Sequence, residues 1–150
     1  MGATVLNIPE QIYEMVRYTE YITRISKSEI YRKAISYFID NDMDVTEEVL
    51  YMPLAKKNCK EQVYIESCLP LLEEYIEKLR DKCEEGIFCI AQGKGVMQKK
   101  NRYRKSTVVL QAMINYLVYL YSDEDLHAPE VERGLTYINE VKLIWKGNRS

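Results

Sequence analysis

Histidine occurs once in the 150 residues, at His127, and no Ser-His-Asp or Cys-His arrangement for nucleophilic catalysis is evident around it. Cysteine occurs four times, at Cys59, Cys68, Cys83 and Cys89, with no Cys-x-x-Cys pair and with His127 far downstream. That spacing does not suit a zinc site, and no metal or cofactor is expected. The thiols read as reduced and buried, a disulfide being the alternative for a hyperthermophilic source. Glycine (6) and proline (4) are scarce while apolar residues reach 47%, which excludes collagen-like and largely disordered chains. Long apolar runs are also missing: Val108 to Tyr121 is broken by Gln111 and Asn115 and falls short of the roughly 20 residues a membrane span needs. Residues 1–9 carry neither a basic segment nor an apolar stretch of export length, so a cytoplasmic, intracellular location without membrane association is expected. Phosphate-binding loops fail as well, because Gly93-Lys94-Gly95 is too short and is followed by Val96 rather than Ser or Thr. Glu73, Glu74 and Glu77 lie beside Lys78 and Arg80 and read as a solvated helix face, so the chain is not read as an enzyme.

What is present is a repeated order. Thr4, Leu6 and Ile8 alternate with Ala3, Val5 and Asn7, a short strand. Pro9 then opens a helix with Ile12, Met15, Val16, Thr19 and Ile22 at helical spacing. Ser26 or Ser28 caps a second helix carrying Ile30, Ala34, Ile35, Phe38 and Ile39 and ending near Asn41. One strand and two short helices bury too little to stand alone. From Glu61 the order recurs. Val63 and Ile65 alternate with Gln62, Tyr64 and Glu66, Pro70 sits at a helix start, and Leu72, Tyr75, Ile76, Leu79 and Cys83 form a stripe. Arg104-Lys105-Ser106 then precedes Val109, Ala112, Met113, Tyr116, Leu117 and Leu120. Placing Ser28 on Ser106 aligns Lys27 with Lys105, Ala34 with Ala112 and Phe38 with Tyr116, while the two strand–helix junctions differ by one residue. The expected organisation is copy one at 1–41, a linker at 42–60, copy two at 61–122 with an insert at 86–101, and a C-terminal helix within 123–150. The insert reads as a small hairpin or flap, and the last helix, with Val131, Leu135, Ile138, Val141 and Trp145 on one side, is expected to cover Val108–Tyr121.

Thr4 to Glu10, the amphipathic helix after it, and Ser26-Lys27-Ser28-Glu29-Ile30-Tyr31-Arg32-Lys33-Ala34 resemble a ribbon-helix-helix DNA-binding domain of the Arc and MetJ type. The resemblance covers 3–41 well and 61–83 and 102–121 more weakly. It implies a mainly α fold with a two-stranded antiparallel ribbon: a tandem, single-chain pseudo-dimer with an extra C-terminal helix. It also implies a DNA-binding transcriptional regulator, a repressor, whose ribbon enters the major groove of double-stranded DNA. The base-reading positions it implies are Ala3, Val5, Asn7, Gln62, Tyr64 and Glu66. Asn7 and Gln62 suit adenine and Val5 a thymine methyl, whereas Glu66 departs from the family by repelling phosphates. Phosphates would be held at the second-helix starts by Ser26, Lys27 and Ser28 and by Arg104, Lys105 and Ser106, with Lys99, Lys100 and Arg102 adjacent.

The net charge of −2 speaks against a uniformly basic binding surface. It is unevenly spread: residues 86–122 hold six basic side chains and no acidic one, while 61–85 hold three against eight. The basic segment, with Tyr103 among its cations, falls beside one second-helix start, where it would add salt-dependent backbone affinity. Competing readings keep the fold with weak or no base reading: a protein-interaction or assembly module, or an antitoxin-like protein with a partner-binding carboxyl half. Self-association on DNA, or a protein partner, goes with them.

Overall fold

The computed structural model describes residues 4–46, 49, 58–82, 87–89, 96–98, 103–124 and 126–149, with the backbone alone at 58, 87–89, 96–98 and 142–149. It is mainly helical with a small two-stranded antiparallel sheet. Strand β1 (Thr4–Pro9) runs directly into helix α1 (Glu10–Thr23), with Pro9 as both the last strand residue and the helix N-cap. Glu10 places an acid in the first turn, where the helix dipole favours it. Arg24 closes α1 in the left-handed region (φ 61°), its N–H bonded to the Glu20 carbonyl. Ser26 caps α2 (Lys27–Asp40) by accepting the Glu29 N–H at 3.2 Å.

Strand β2 (Asn58–Val63) pairs antiparallel with β1: Val5 faces Gln62, Leu6 faces Glu61 and Asn7 faces Lys60. The strand expected at 61–66 therefore starts three residues earlier and takes the end of the 42–60 linker with it. The cause is Glu61, an acid on the inward face that interrupts the apolar alternation. It is 9% exposed, and its carboxylate is offset by the Lys27 ammonium at 3.5 Å. Between β2 and α3 (Leu69–Lys82) lie Tyr64, Ile65 and a 3-10 turn at Glu66–Cys68, a longer junction than the single extra residue expected. The insert contains a second antiparallel pair, β3 (Ile87–Cys89) with β4 (Val96–Gln98), as the hairpin reading anticipates. Helices α4 (Lys105–Tyr121) and α5 (Pro129–Arg149) complete the chain.

The buried stripes recur with identical spacing. Ile12, Met15, Val16 and Thr19 of α1 match Leu72, Tyr75, Ile76 and Leu79 of α3, and Ile30, Tyr31, Ala34 and Ile35 of α2 match Val108, Val109, Ala112 and Met113 of α4. Leu6, Ile8 and Val63 from the strands, with Ile65 just beyond, join them in one continuous core. Helix α4 is buried all round over Val108–Ile114, and α2, β1, α1 and α3 all pack on the helix. Helix α5 therefore does not serve as its main cover. It docks on α1, where Gly134 lies against Met15 and Arg133 pairs with Glu14 at 3.2 Å.

A polar chain ties the start of the linker to this core. Buried Gln111 accepts the Thr46 N–H at 2.7 Å and the Thr46 hydroxyl at 3.0 Å, and donates to Asn115 at 2.8 Å. Tyr103, expected among solvated cations, is instead buried, its hydroxyl donating to Asp44 at 3.0 Å. Among the described residues no helix is long and apolar enough to cross a membrane.

Candidate nucleic-acid interface

The pleat of β1 and β2 turns Leu6, Ile8, Glu61 and Val63 inward and leaves Val5, Asn7, Lys60 and Gln62 exposed on the other face. Val5 is 53% exposed although apolar, so none of the described residues covers it. Of the six positions assigned to base reading, Val5, Asn7 and Gln62 lie on it. Tyr64 is exposed just beyond the end of β2. Glu66 does not belong to the ribbon: it begins the 3-10 turn, because β2 has already ended. Ala3 lies outside the described residues. Lys60 belongs to the face, although a strand that begins at Glu61 leaves it out. The alternation of Cys59, Glu61 and Val63 with Lys60 and Gln62 is the signal that finds it. The register thus removes an acid from the ribbon and puts a cation opposite Asn7.

At the start of α2 the three assigned residues are engaged in different ways. The Ser26 hydroxyl oxygen caps the helix. The Ser28 hydroxyl oxygen accepts the Tyr64 N–H at 3.3 Å, and Arg32 donates to the Tyr64 carbonyl, so the end of β2 is held against this helix turn. The Lys27 N–H donates to the Glu20 carboxylate at 3.3 Å. Its ammonium turns inward, 3.4 Å from the Tyr13 hydroxyl, 5.3 Å from that ring's centre and 3.5 Å from Glu61. Burial alone would lower the Lys27 pKa, but the Tyr13 hydroxyl and the charges of Glu61 and Glu20 together raise it.

At the start of α4, Arg104 is the exposed N-cap, Ser106 is half-buried and Lys105 pairs with Glu73 at 3.0 Å. Matching the buried stripes of the two halves superposes Lys27 on Lys105 and Tyr13 on Glu73. The two lysines therefore meet partners at corresponding positions of the preceding helix. Lys99, Lys100 and Arg102 lie outside the described residues. Cys59 and Cys68 are free and half-buried, and burial pushes both thiols up. Among the described residues no group of three His, Cys, Asp or Glu is placed to hold a metal ion.

No family model matches the chain, and no curated protein or solved structure shows significant similarity to it.

Proposed function

We propose that the chain is an intracellular DNA-binding transcriptional regulator, acting as a repressor and built as a single-chain ribbon-helix-helix pseudo-dimer. The observation that carries this reading is the exposed ribbon face of Val5, Asn7, Lys60 and Gln62 on a two-stranded antiparallel pair. A ribbon of this kind fits the major groove, and two amides, an ammonium and an aliphatic side chain are the groups that read base edges there. The starts of α2 and α4 supply the phosphate contacts through the hydroxyls of Ser26, Ser28 and Ser106, with Arg104, Lys99, Lys100 and Arg102 adding charge. Lys27 and Lys105 contribute less than a free lysine, since Glu61 and Glu73 already neutralise them. Binding of the full chain to random and native upstream duplexes at several salt concentrations tests the proposal. Affinity should fall steeply with salt, and Asn7→Ala should alter sequence preference. No binding at low salt overturns the reading.

A second reading, a protein-interaction or antitoxin-like module, draws on one feature. Tyr119 stacks with Tyr37 and Tyr116, and Tyr37 meets Tyr116 tilted, with ring centres 4.8–6.4 Å apart, and Tyr119 is 56% exposed beside exposed Val118. Retention of partner binding with loss of all DNA binding would favour it.

A further inference from the structure

The two strands of the ribbon come from one polypeptide, so nothing requires their outward residues to match, and they do not. A two-fold axis through the Val5–Gln62 rung superposes inward Leu6 on Val63 and Ile8 on Ile65, all four buried. The same operation places Val5 on Gln62 and Asn7 on Tyr64. These four apolar inward positions are thus alike in chemistry, while the outward ones are not.

We infer that one molecule recognises a non-palindromic duplex sequence in a single orientation, with its discrimination concentrated at the Asn7–Lys60 end of the ribbon. This rests on the DNA-binding reading above. Asn7 and Lys60 sit opposite each other and are both exposed. An amide of this kind pairs bidentately with adenine, and an ammonium donates to the O6 and N7 acceptors of guanine. The next outward rung combines Gln62 with Val5. An A·T pair satisfies both at once, with the amide on adenine and the isopropyl group on the thymine methyl. The other end offers Tyr64, a phenol with one rotatable O–H and no bidentate geometry. Six paired residues at about 3.4 Å each span about 20 Å, roughly six base-pair steps, so all three zones fall within one groove segment. Two identical chains forming such a ribbon would have to read an inverted repeat, because both ends would carry the same groups.

The test is selection of binding sites by the full chain from randomised duplexes, with the stoichiometry of the selected complex measured by analytical ultracentrifugation. The expected consensus is non-palindromic, contains an A·T pair where the Val5–Gln62 rung lies and is bound by one chain. Asn7→Ala and Lys60→Ala should each relax discrimination about tenfold or more at the same end of the site. Both residues are exposed, and unchanged circular dichroism and thermal melting confirm that the variants fold. Val5→Gln with Tyr64→Asn and Lys60→Ala gives positions 3, 5 and 7 the same residues as 60, 62 and 64 and should shift the consensus towards an inverted repeat. A palindromic wild-type consensus, two chains per selected site, or binding without sequence preference overturns the inference and leaves the DNA-binding reading standing. No binding of any duplex at low salt overturns that reading itself, and the inference with it.

Discussion

The Lys27 ammonium lies 3.5 Å from the Glu61 carboxylate and joins the first turn of α2 to the inward face of β2. Glu61 is the only acid that the ribbon turns inward among its described residues, and this pair is what makes that tolerable. Lys27→Ala strands a buried carboxylate and should cost about 1–3 kcal/mol in urea unfolding, the lower end reflecting the 30% exposure of the lysine. Adding Glu61→Gln to that variant should restore most of the loss.

Tyr31 sits at 0% exposure with no hydrogen-bond partner for its hydroxyl among the described residues. Tyr31→Phe removes that desolvated group without leaving a cavity and should stabilise the fold by about 1 kcal/mol at neutral pH.

Alkali should unfold the protein. Burial pushes Tyr31, Tyr75, Tyr116 and Tyr121 up and Tyr137 up to about 12. Each holds its proton more tightly folded than unfolded, so its contribution is present in full below the ordinary value of 10.0 and is lost as pH rises through the folded value. Lys27, also raised, adds a loss of the same sign above 10.5. Melting temperature should therefore fall with increasing slope above about pH 10, and Tyr31→Phe should flatten that slope. A flat profile to pH 11.5 would contradict this account.

Thr19 and Tyr121 meet hydroxyl to hydroxyl at 2.6 Å, both buried, while Thr19 also donates to the Met15 carbonyl at 2.8 Å. Tyr121 is therefore the donor between them. Tyr121→Phe removes one bond and leaves Thr19 paired with Met15, at a cost of about 1 kcal/mol. Thr19→Val leaves the tyrosine hydroxyl buried and unpaired and should cost more, about 1–3 kcal/mol. Unfolding free energies in the reverse order would reject this bond direction.

A Cβ on Gly134 would lie 2.1 Å from Met15 Sδ and 2.3 Å from Met15 Cγ. Gly134→Ala gains about 1 kcal/mol of helix propensity but forces fully buried Met15 to move, for a net loss of about 1–3 kcal/mol. In a Met15→Ala background the same substitution should stabilise, because the methyl group enters the space vacated by the thioether. A double-mutant cycle measures that reversal of sign.

The strand-helix-helix order and the inward stripes are legible in the sequence because period-two and helical patterns need only local information. The start of β2 is not, because Glu61 is recognisable as an inward residue only once Lys27 is known to reach it. The seat of α5 is likewise hidden. Periodicity marks Val131, Ile138 and Val141 as a buried side but does not name the neighbour, and Gly134 alone hints at close approach. Tyr103 reads as solvated among cations because its acceptor, Asp44, lies 59 residues away. At the candidate interface, Val5, Asn7 and Gln62 follow from alternation. Lys60 was lost with the strand boundary, and the engagement of Lys27 and Lys105 with Glu61 and Glu73 depends on tertiary placement that no local pattern carries.

The pairing of residues 4–9 with residues 58–63 also makes the ribbon a clasp across a long covalent loop. During synthesis β1 emerges first and must wait, its N–H and C=O groups unpaired, until β2 has left the ribosome. At high concentration the waiting strand can be satisfied as well by the β2 of a neighbour. The bonds are the same, and only the closure entropy of the intervening segment favours the self-contained form. The linker thus sets the balance between a closed monomer and a strand-exchanged dimer, and shortening it should turn a folding clasp into an intermolecular one.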